Sequence, residues 1–346
     1  MCKAQDLLKT ITPQRLDDYL SQGWFRMDQF MFTTRFVEHD GRFYEAVWLR
    51  HCLDDVLFPG WFMKLLDKDI FRIEVCSGLS TPAHEILFQK YRESRPDDWP
   101  ASLEDVLYGN RSRNVFDTQI INVYHGNKLI AAGFFDQGAT SAAGICNFYD
   151  PEYKSFSLGK FLYLYEMLIC TERGLQYFYP GYMAPGLPLF NYKCTINPCS
   201  LESYDPVTRS WENYQPIAPG NTAVDRIQHA LCLLLPRLQS LGIEVRLVTN
   251  AGFNLDYSSK YDLPYAVFIF PSEGRKEQHA ITYDPDTSEY YIFDCTVSNC
   301  MHSLRAIGQE TFCVGPLNLK TPLFILMNAG PAADTMADIV EYWEKK

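Results

Sequence analysis

The residues best placed to do chemistry lie in one stretch, 119–193. Ser157-Leu158-Gly159-Lys160 opens an apolar helical run, an aromatic strand follows at 176–182, and Asn191-Tyr192-Lys193 closes the segment. A helix beginning at Ser157-Leu158-Gly159 would present free backbone N–H groups, which bind phosphate or another anion. The plainer alternative is that Ser157 caps the helix and Gly159 only permits close packing. Other chemistries lack their signatures. There is no Gly-x-Ser-x-Gly nucleophile elbow, no phosphate-binding P-loop and no dinucleotide glycine fingerprint. The seven histidines are scattered, with no pair at the helical spacing of a zinc site. Cys194/Cys199 and Cys295/Cys300 are each alone a weak metal signal, because a tetrahedral site needs four ligands, and no metal or cofactor is expected.

Local patterning supplies the elements that must hold these residues. Residues 119–136 read as strand-turn-strand through Gly126-Asn127, and 142–149 as a further strand. The helix runs from about Leu158 to Thr171, with Phe161, Leu164, Tyr165, Leu168 and Ile169 on one broad buried face and Gly174 as its stop. Upstream, Thr12-Pro13 and Thr81-Pro82 read as helix starts, and Ser102 begins a short third helix. Two aromatic runs, 24–37 and 43–50, flank Asp40-Gly41 and predict an antiparallel pair. Residues 196–220 carry four prolines and read as a linker or irregular extension. Downstream, a helix from Asn221 and strands near 243–248, 265–270, 279–283, 290–293 and 323–327 suggest a small α+β domain. The expected organisation is an N-terminal α+β region (1–110), a core (111–215) and a C-terminal α+β domain (221–346).

Composition narrows the class. The chain has 346 residues, 47% of them hydrophobic and 15% aromatic, which suits a packed globular protein. No apolar run approaches the ~20 residues of a membrane span, and the N-terminus lacks a secretory apolar segment. Eleven cysteines, several inside apolar runs, fit a reducing compartment. A cytoplasmic protein without membrane association is expected. The formal net charge of −11 argues against a broad nucleic-acid surface, and DNA is not an expected partner.

An ordered series of blocks resembles the C-terminal catalytic half of the arginyl- and leucyl-tRNA-protein transferases. Residues 127–136 are like that family's strand pair ending in Asp. Phe148-Tyr149-Asp150-Pro151 matches its aromatic-Asp-Pro turn, Ser157-Leu158-Gly159 its helix start, and Glu166 the acid within that helix. Tyr177-Phe178-Tyr179 and Gly181-Tyr182 resemble its aromatic strand, and Asn191-Tyr192-Lys193 its closing motif. Gly23-Trp24-Phe25-Arg26 looks like its N-terminal Gly-Phe-Arg. The family's N-terminal cysteine cluster has no counterpart in residues 33–41.

The resemblance implies an α+β fold built on a GNAT-like mixed sheet that splits to receive an acyl donor. It implies transfer of an amino acid from aminoacyl-tRNA to the N-terminal amine of a protein or peptide. The implied catalytic set is Asp136, Glu166, Tyr192 and Lys193. Lys193 or Tyr192 would lie near the donor or oxyanion, and Asp136 or Glu166 would bind or deprotonate the amine. Tyr149, Ser157, Leu158, Gly159, Lys160, Tyr179, Gly181, Tyr182 and Asn191 would bind substrate, with Tyr179 and Tyr182 lining the cleft. Two other readings use the same fold: an acyltransferase with acyl-CoA as donor, and a catalytically silent module that binds peptides or proteins.

Overall fold

The computed structural model describes residues 3–7, 9–95, 100–109, 111, 113–249, 263–269, 278–297, 313–314, 317–318, 324–333 and 335–344. Cys300 and His302 lie outside them, as do parts of the strands expected at 265–270 and 323–327.

After β1 (Lys3–Leu7), helix α1 (Pro13–Ser21) starts where Thr12-Pro13 predicts, with the Thr12 hydroxyl accepting from Arg15 N. The aromatic run 24–37 is not one strand. Asp28, at φ 52°, turns it back, giving the hairpin β2 (Phe25–Met27) and β3 (Phe30–Thr34). The pair predicted around Asp40-Gly41 is the short hairpin β4 (Phe36–His39) and β5 (Arg42–Glu45), with both turn residues at positive φ. The chain then breaks at Ala46, and β6 (Val47–Cys52) enters the main sheet.

Next come α2 (Gly60–Asp67), β7 (Arg72–Ser77), α3 (Pro82–Glu93) and α4 (Leu103–Tyr108). The 119–193 stretch supplies β8 (Thr118–His125), β9 (Lys128–Gln137), β10 (Ser141–Tyr149), α5 (Leu158–Glu172), β11 (Tyr177–Met183) and α6 (Asn191–Ile196). The expected linker at 196–220 is instead a hairpin, β12 (Leu201–Asp205) and β13 (Ser210–Asn213), which pairs with β6. Proline spacing misled there because Pro198, Pro206, Pro216 and Pro219 all fall outside the two strands.

These strands form an eight-stranded mixed sheet in the order β13-β12-β6-β11-β10-β9-β8-β7. Its parallel contact is between β10 and β11, with α5 as the crossover. Helix α5 is buried almost all round: Leu158, Phe161, Leu162, Leu164 and Met167 are each at most 1% exposed. Burying each such side chain is worth about 1.5–3 kcal/mol, so the helix is fixed by packing rather than propensity. The α1 side of the sheet has a separate core of Leu16, Leu20, Met31, Phe116, Ala143 and Tyr179. Ala142 and Phe178 point to the α5 core, and their neighbours Ala143 and Tyr179 to the α1 core, as strand alternation requires.

A second sheet comprises β14 (Val245–Thr249), β15 (Tyr265–Ile269), β16 (Gln278–Asp284), β17 (Glu289–Val297) and β20 (Phe324–Ala333), all antiparallel. The short pair β18 (Cys313–Val314) and β19 (Leu317–Asn318) stands apart. Helix α7 (Ala223–Ser240) and terminal α8 (Met336–Glu344) pack on this sheet. Phe36 and Phe43 of the β4–β5 hairpin enter its core, and Arg35 pairs with Asp286 at 2.7 Å. The N-terminal segment thus contributes to both sheets.

Candidate active site

The site begins where two strands part. β10 and β11 run parallel for three register pairs, Ser141–Tyr177 to Ala143–Tyr179. Beyond that point β10 keeps only β9 as a neighbour and β11 only β6, so the sheet opens. Both strands are irregular at this place. Ile145 is a bulged residue with no partner in the β9 register, and β11 shifts register between Phe178 and Gly181. Bulges interrupt pairing and re-aim side chains, and they concentrate near active sites. The α+β class and the split mixed sheet implied by the resemblance are both present.

Glu166 and Tyr163 of α5 lie beside the split, against Gly144 of β10 and Phe178 of β11. Glu166 is 1% exposed. Its Oε2 accepts from Asn147 Nδ2 at 3.2 Å, while Oε1 has no hydrogen-bond partner. Burial raises the Glu166 carboxyl well above its ordinary range. Two glycines make room for it. A Cβ on Gly133 would lie 2.5 Å from Asn147 Oδ1, and one on Gly144 would lie 2.8 Å from the Phe178 ring. Tyr163, one turn before Glu166, is held by a buried relay. Ser200 Oγ donates toward Asn197, so it accepts from His51 Nδ1 at 2.8 Å. His51 Nε2 must then accept from Tyr163 Oη at 2.8 Å. His51 is fully buried, and desolvation pulls it down to about 3, keeping it neutral.

Tyr192 of α6 packs on the α5 side. Its ring packs edge-on against Tyr163 at 6.1 Å, and its hydroxyl feels Glu166, Tyr91 and Arg95. Burial around the hydroxyl raises the phenol strongly, although the residue as a whole is exposed. Tyr91 in turn packs on Tyr149 at 5.1 Å.

The remaining residues from the sequence scatter around this centre. Lys193 is buried, but it turns toward the end of β11, where Nζ donates to Tyr182 O at 2.7 Å and lies 4.9 Å from the Phe190 ring. Desolvation pulls its ammonium down to about 7. No hydrogen bond or ion pair joins it to Glu166 among the described residues. Gly181, at φ +82°, passes under Lys193, and a Cβ there would stand 3.6 Å from Nζ. Tyr182 packs against Trp48 and Phe190. Tyr179 faces the α1 side, where it meets Trp211 and lies 3.5 Å from Arg50. Asn191 and Lys160 are exposed. Leu158 is core, and Gly159 lets the Tyr149 ring approach to 3.4 Å of where a Cβ would stand.

Ser157 and Asp136 have surroundings that their types alone do not indicate. Ser157 does not cap α5. It is left-handed, at φ 54° and ψ 41°, and its side chain makes no cap bond. The adjoining turn, residues 151–156, is capped by Asp150, which accepts from Glu152 N at 3.0 Å and leaves Ser157 as a joint between two helical segments. Asp136 is enclosed in an ion pair. It is fully buried, and both of its oxygens are bound by Arg26 Nη1, at 2.8 and 2.9 Å, with Thr118 Oγ1 adding a 2.5 Å bond. Arg26 also donates to Leu107 O and Asp28 O. The Gly-Phe-Arg and Asp blocks therefore meet as a structural clasp on the α1 side of the sheet. No cluster of three or more potential metal ligands occurs among the described residues.

Known proteins can be set against this geometry. Residues 83–203 match the family model described as arginine-tRNA-protein transferase, C terminus. That segment contains β8 to β11, α5, α6 and the whole split. The chain resembles the arginine-tRNA-protein transferases. An aspartate/glutamate leucyltransferase of Leptospira interrogans is 29% identical over 155 residues, covering 42% of this chain and 60% of that protein. One from Helicobacter hepaticus is 26% identical over 200 residues, covering 55% and 80%. One from Vibrio cholerae is 37% identical over 82 residues, covering 24% and 35%. The chain thus spans about 60% of the length of the Leptospira relative. Asn147, Tyr163, His51 and Tyr91 carry no motif that the sequence reading could use; Asn147 and Tyr163 lie within stretches read only as strand and helix.

Proposed function

We propose that the chain is an aminoacyltransferase, moving an amino acid from aminoacyl-tRNA to the N-terminal amine of a protein or peptide. The observation that carries this reading is the β10–β11 split with its bulge at Ile145, lying inside the matched residues 83–203. An aminoacyl ester is already activated, so the protein must chiefly align amine and carbonyl and receive the charge that develops on oxygen. The amine nitrogen attacks the ester carbonyl, the C–N bond forms, and the C–O bond to the tRNA ribose breaks. The proton lost by the amine balances the one gained by the ribose oxygen.

In this reading the split takes the ester, with the Tyr192 hydroxyl as a neutral donor to the developing oxyanion. Its raised phenol keeps the proton at working pH. Lys193, with an amine near neutrality, orders the β11 end of the cleft through Tyr182 O. Asp136 has no part in the chemistry. The names of the relatives make acceptors beginning with Asp or Glu, and leucine as the transferred residue, the first pair to try.

The test is mass spectrometry of peptides with different N-termini after incubation with leucyl-, arginyl- and other charged tRNAs. A gain of one residue on the peptide is expected. No gain with any charged tRNA, together with thermal stabilisation by acyl-CoA, would replace the donor and refute the proposal.

A further inference from the structure

Beneath the split, two buried acceptor atoms lack donors. They are Glu166 Oε1 and Asn147 Oδ1. Both stand over Gly133, at 3.2 and 2.5 Å from the position a Cβ would take. The other arms of the same two side chains are already joined, Asn147 Nδ2 to Glu166 Oε2 at 3.2 Å. A buried polar atom left unpaired costs about 1–3 kcal/mol, and an ionised buried carboxylate without a partner costs more. One proton answers both vacancies, because a carboxylic acid and a primary amide close a ring of two hydrogen bonds. We infer that Glu166 is held as the neutral acid, Oε1–H donating to Asn147 Oδ1 and Asn147 Nδ2–H donating to Oε2, and that this ring is the latch fixing β10 to α5 where it leaves β11.

The surroundings favour the neutral form. From α5, Tyr163 and Cys170 face the carboxyl; from α6, Tyr192; from β10, Cys146. Each of these is neutral at pH 7, with burial raising it further. Arg26 and Asp136, which act on the neighbouring Cys146, are already paired with each other. Among the described residues no cation pairs with Glu166, and desolvation is the leading influence on it. Glu166 is therefore a positioning residue. It acts through Asn147 and takes no proton from the substrate amine. An uncharged floor also avoids repelling an acceptor that begins with Asp or Glu.

The effect on transfer rests on the proposed function, whereas the protonation state does not. Infrared difference spectra of the full chain, wild type minus Glu166→Gln at pH 7, should show the C=O band of a protonated carboxyl. Glu166→Gln, whose amide can close the same ring, should keep transfer within about threefold and keep the melting temperature, and its pH–rate profile should match wild type at neutral pH. Glu166→Ala should lower both. Absence of the carboxyl band at pH 7 would overturn the inference. So would a Glu166→Gln variant with unchanged melting but more than about a hundredfold loss of transfer, the mark of a general base. If the wild type transfers nothing, the proposed function fails while the infrared band still decides the latch.

Discussion

Replacing Arg26 tests whether Asp136 is a clasp or a catalyst. Arg26 is 4% exposed and Asp136 is fully buried. The guanidinium reaches both carboxylate oxygens, Thr118 Oγ1 at 3.1 Å, and the carbonyls of Asp28 and Leu107. Arg26→Met leaves Asp136 buried with only the Thr118 hydroxyl, and breaking a buried pair from one side costs about 3–5 kcal/mol. For a unit of this size that corresponds to a fall in melting temperature on the order of 10 °C. Asp136→Leu should cost a similar amount, because it strands the guanidinium. The double variant Arg26→Met/Asp136→Leu removes both charges and loses only the carbonyl and hydroxyl contacts, at about 1 kcal/mol each. It should be more stable than either single variant, with a coupling energy on the order of 3 kcal/mol in a double-mutant cycle. Urea midpoints for the four proteins give the cycle, and transfer assays on the variants still folded at 20 °C give the function. An Asp136→Asn protein with an unchanged urea midpoint and no transfer would refute this reasoning and restore the carboxylate to the chemistry.

Two further outcomes follow from buried groups on either side of the split. Lys193 has its ammonium drawn down to about 7, so the unfolded chain binds the extra proton between about pH 7 and the ordinary lysine value of 10.5. Stability should therefore rise with pH across that window, by up to about 1.4 kcal/mol per pH unit. Lys193→Met should be more stable than wild type at pH 6 and lose that advantage by pH 10; an advantage independent of pH, read from urea midpoints, would show that the ammonium carries no burial cost. His51 should remain neutral as the Nδ1–H tautomer in nitrogen NMR from pH 8 down to pH 5, and the stability it contributes should be lost as pH falls from 6.5 toward about 3. A ring titrating near 6.5 would break the Ser200–His51–Tyr163 relay.

Much of the 119–193 stretch was legible because its information is local. Alternating apolar residues, a 3.6-residue stripe and Gly174 fix β8 to β11 and α5 within a residue or two. Local signals misled where a single residue overrode a pattern. Asp28 folds one aromatic run into two strands, and Ser157 takes a left-handed conformation where its type suggests a cap. The hairpin β12–β13 was hidden by prolines that all lie outside its strands.

By itself, the sequence determined the elements, the α+β class and the order of blocks shared with the arginine-tRNA-protein transferases. Tertiary structure alone decided what surrounds each acid. Asp136 meets Arg26 across 110 residues, and His51 joins Tyr163 and Ser200 across 112 and 149. The His51 contacts depend on the strand order β12-β6-β11-β10-β9, and Arg26 reaches Asp136 from β2 of a separate three-stranded sheet, neither of which local spacing encodes. The same order places Glu166 over the two glycines and beside Asn147, in a dry site where a carboxyl is cheaper as an acid than as an anion. Residue type made Asp136 and Glu166 equal candidates; burial and partners gave one a cation and left the other beside an amide.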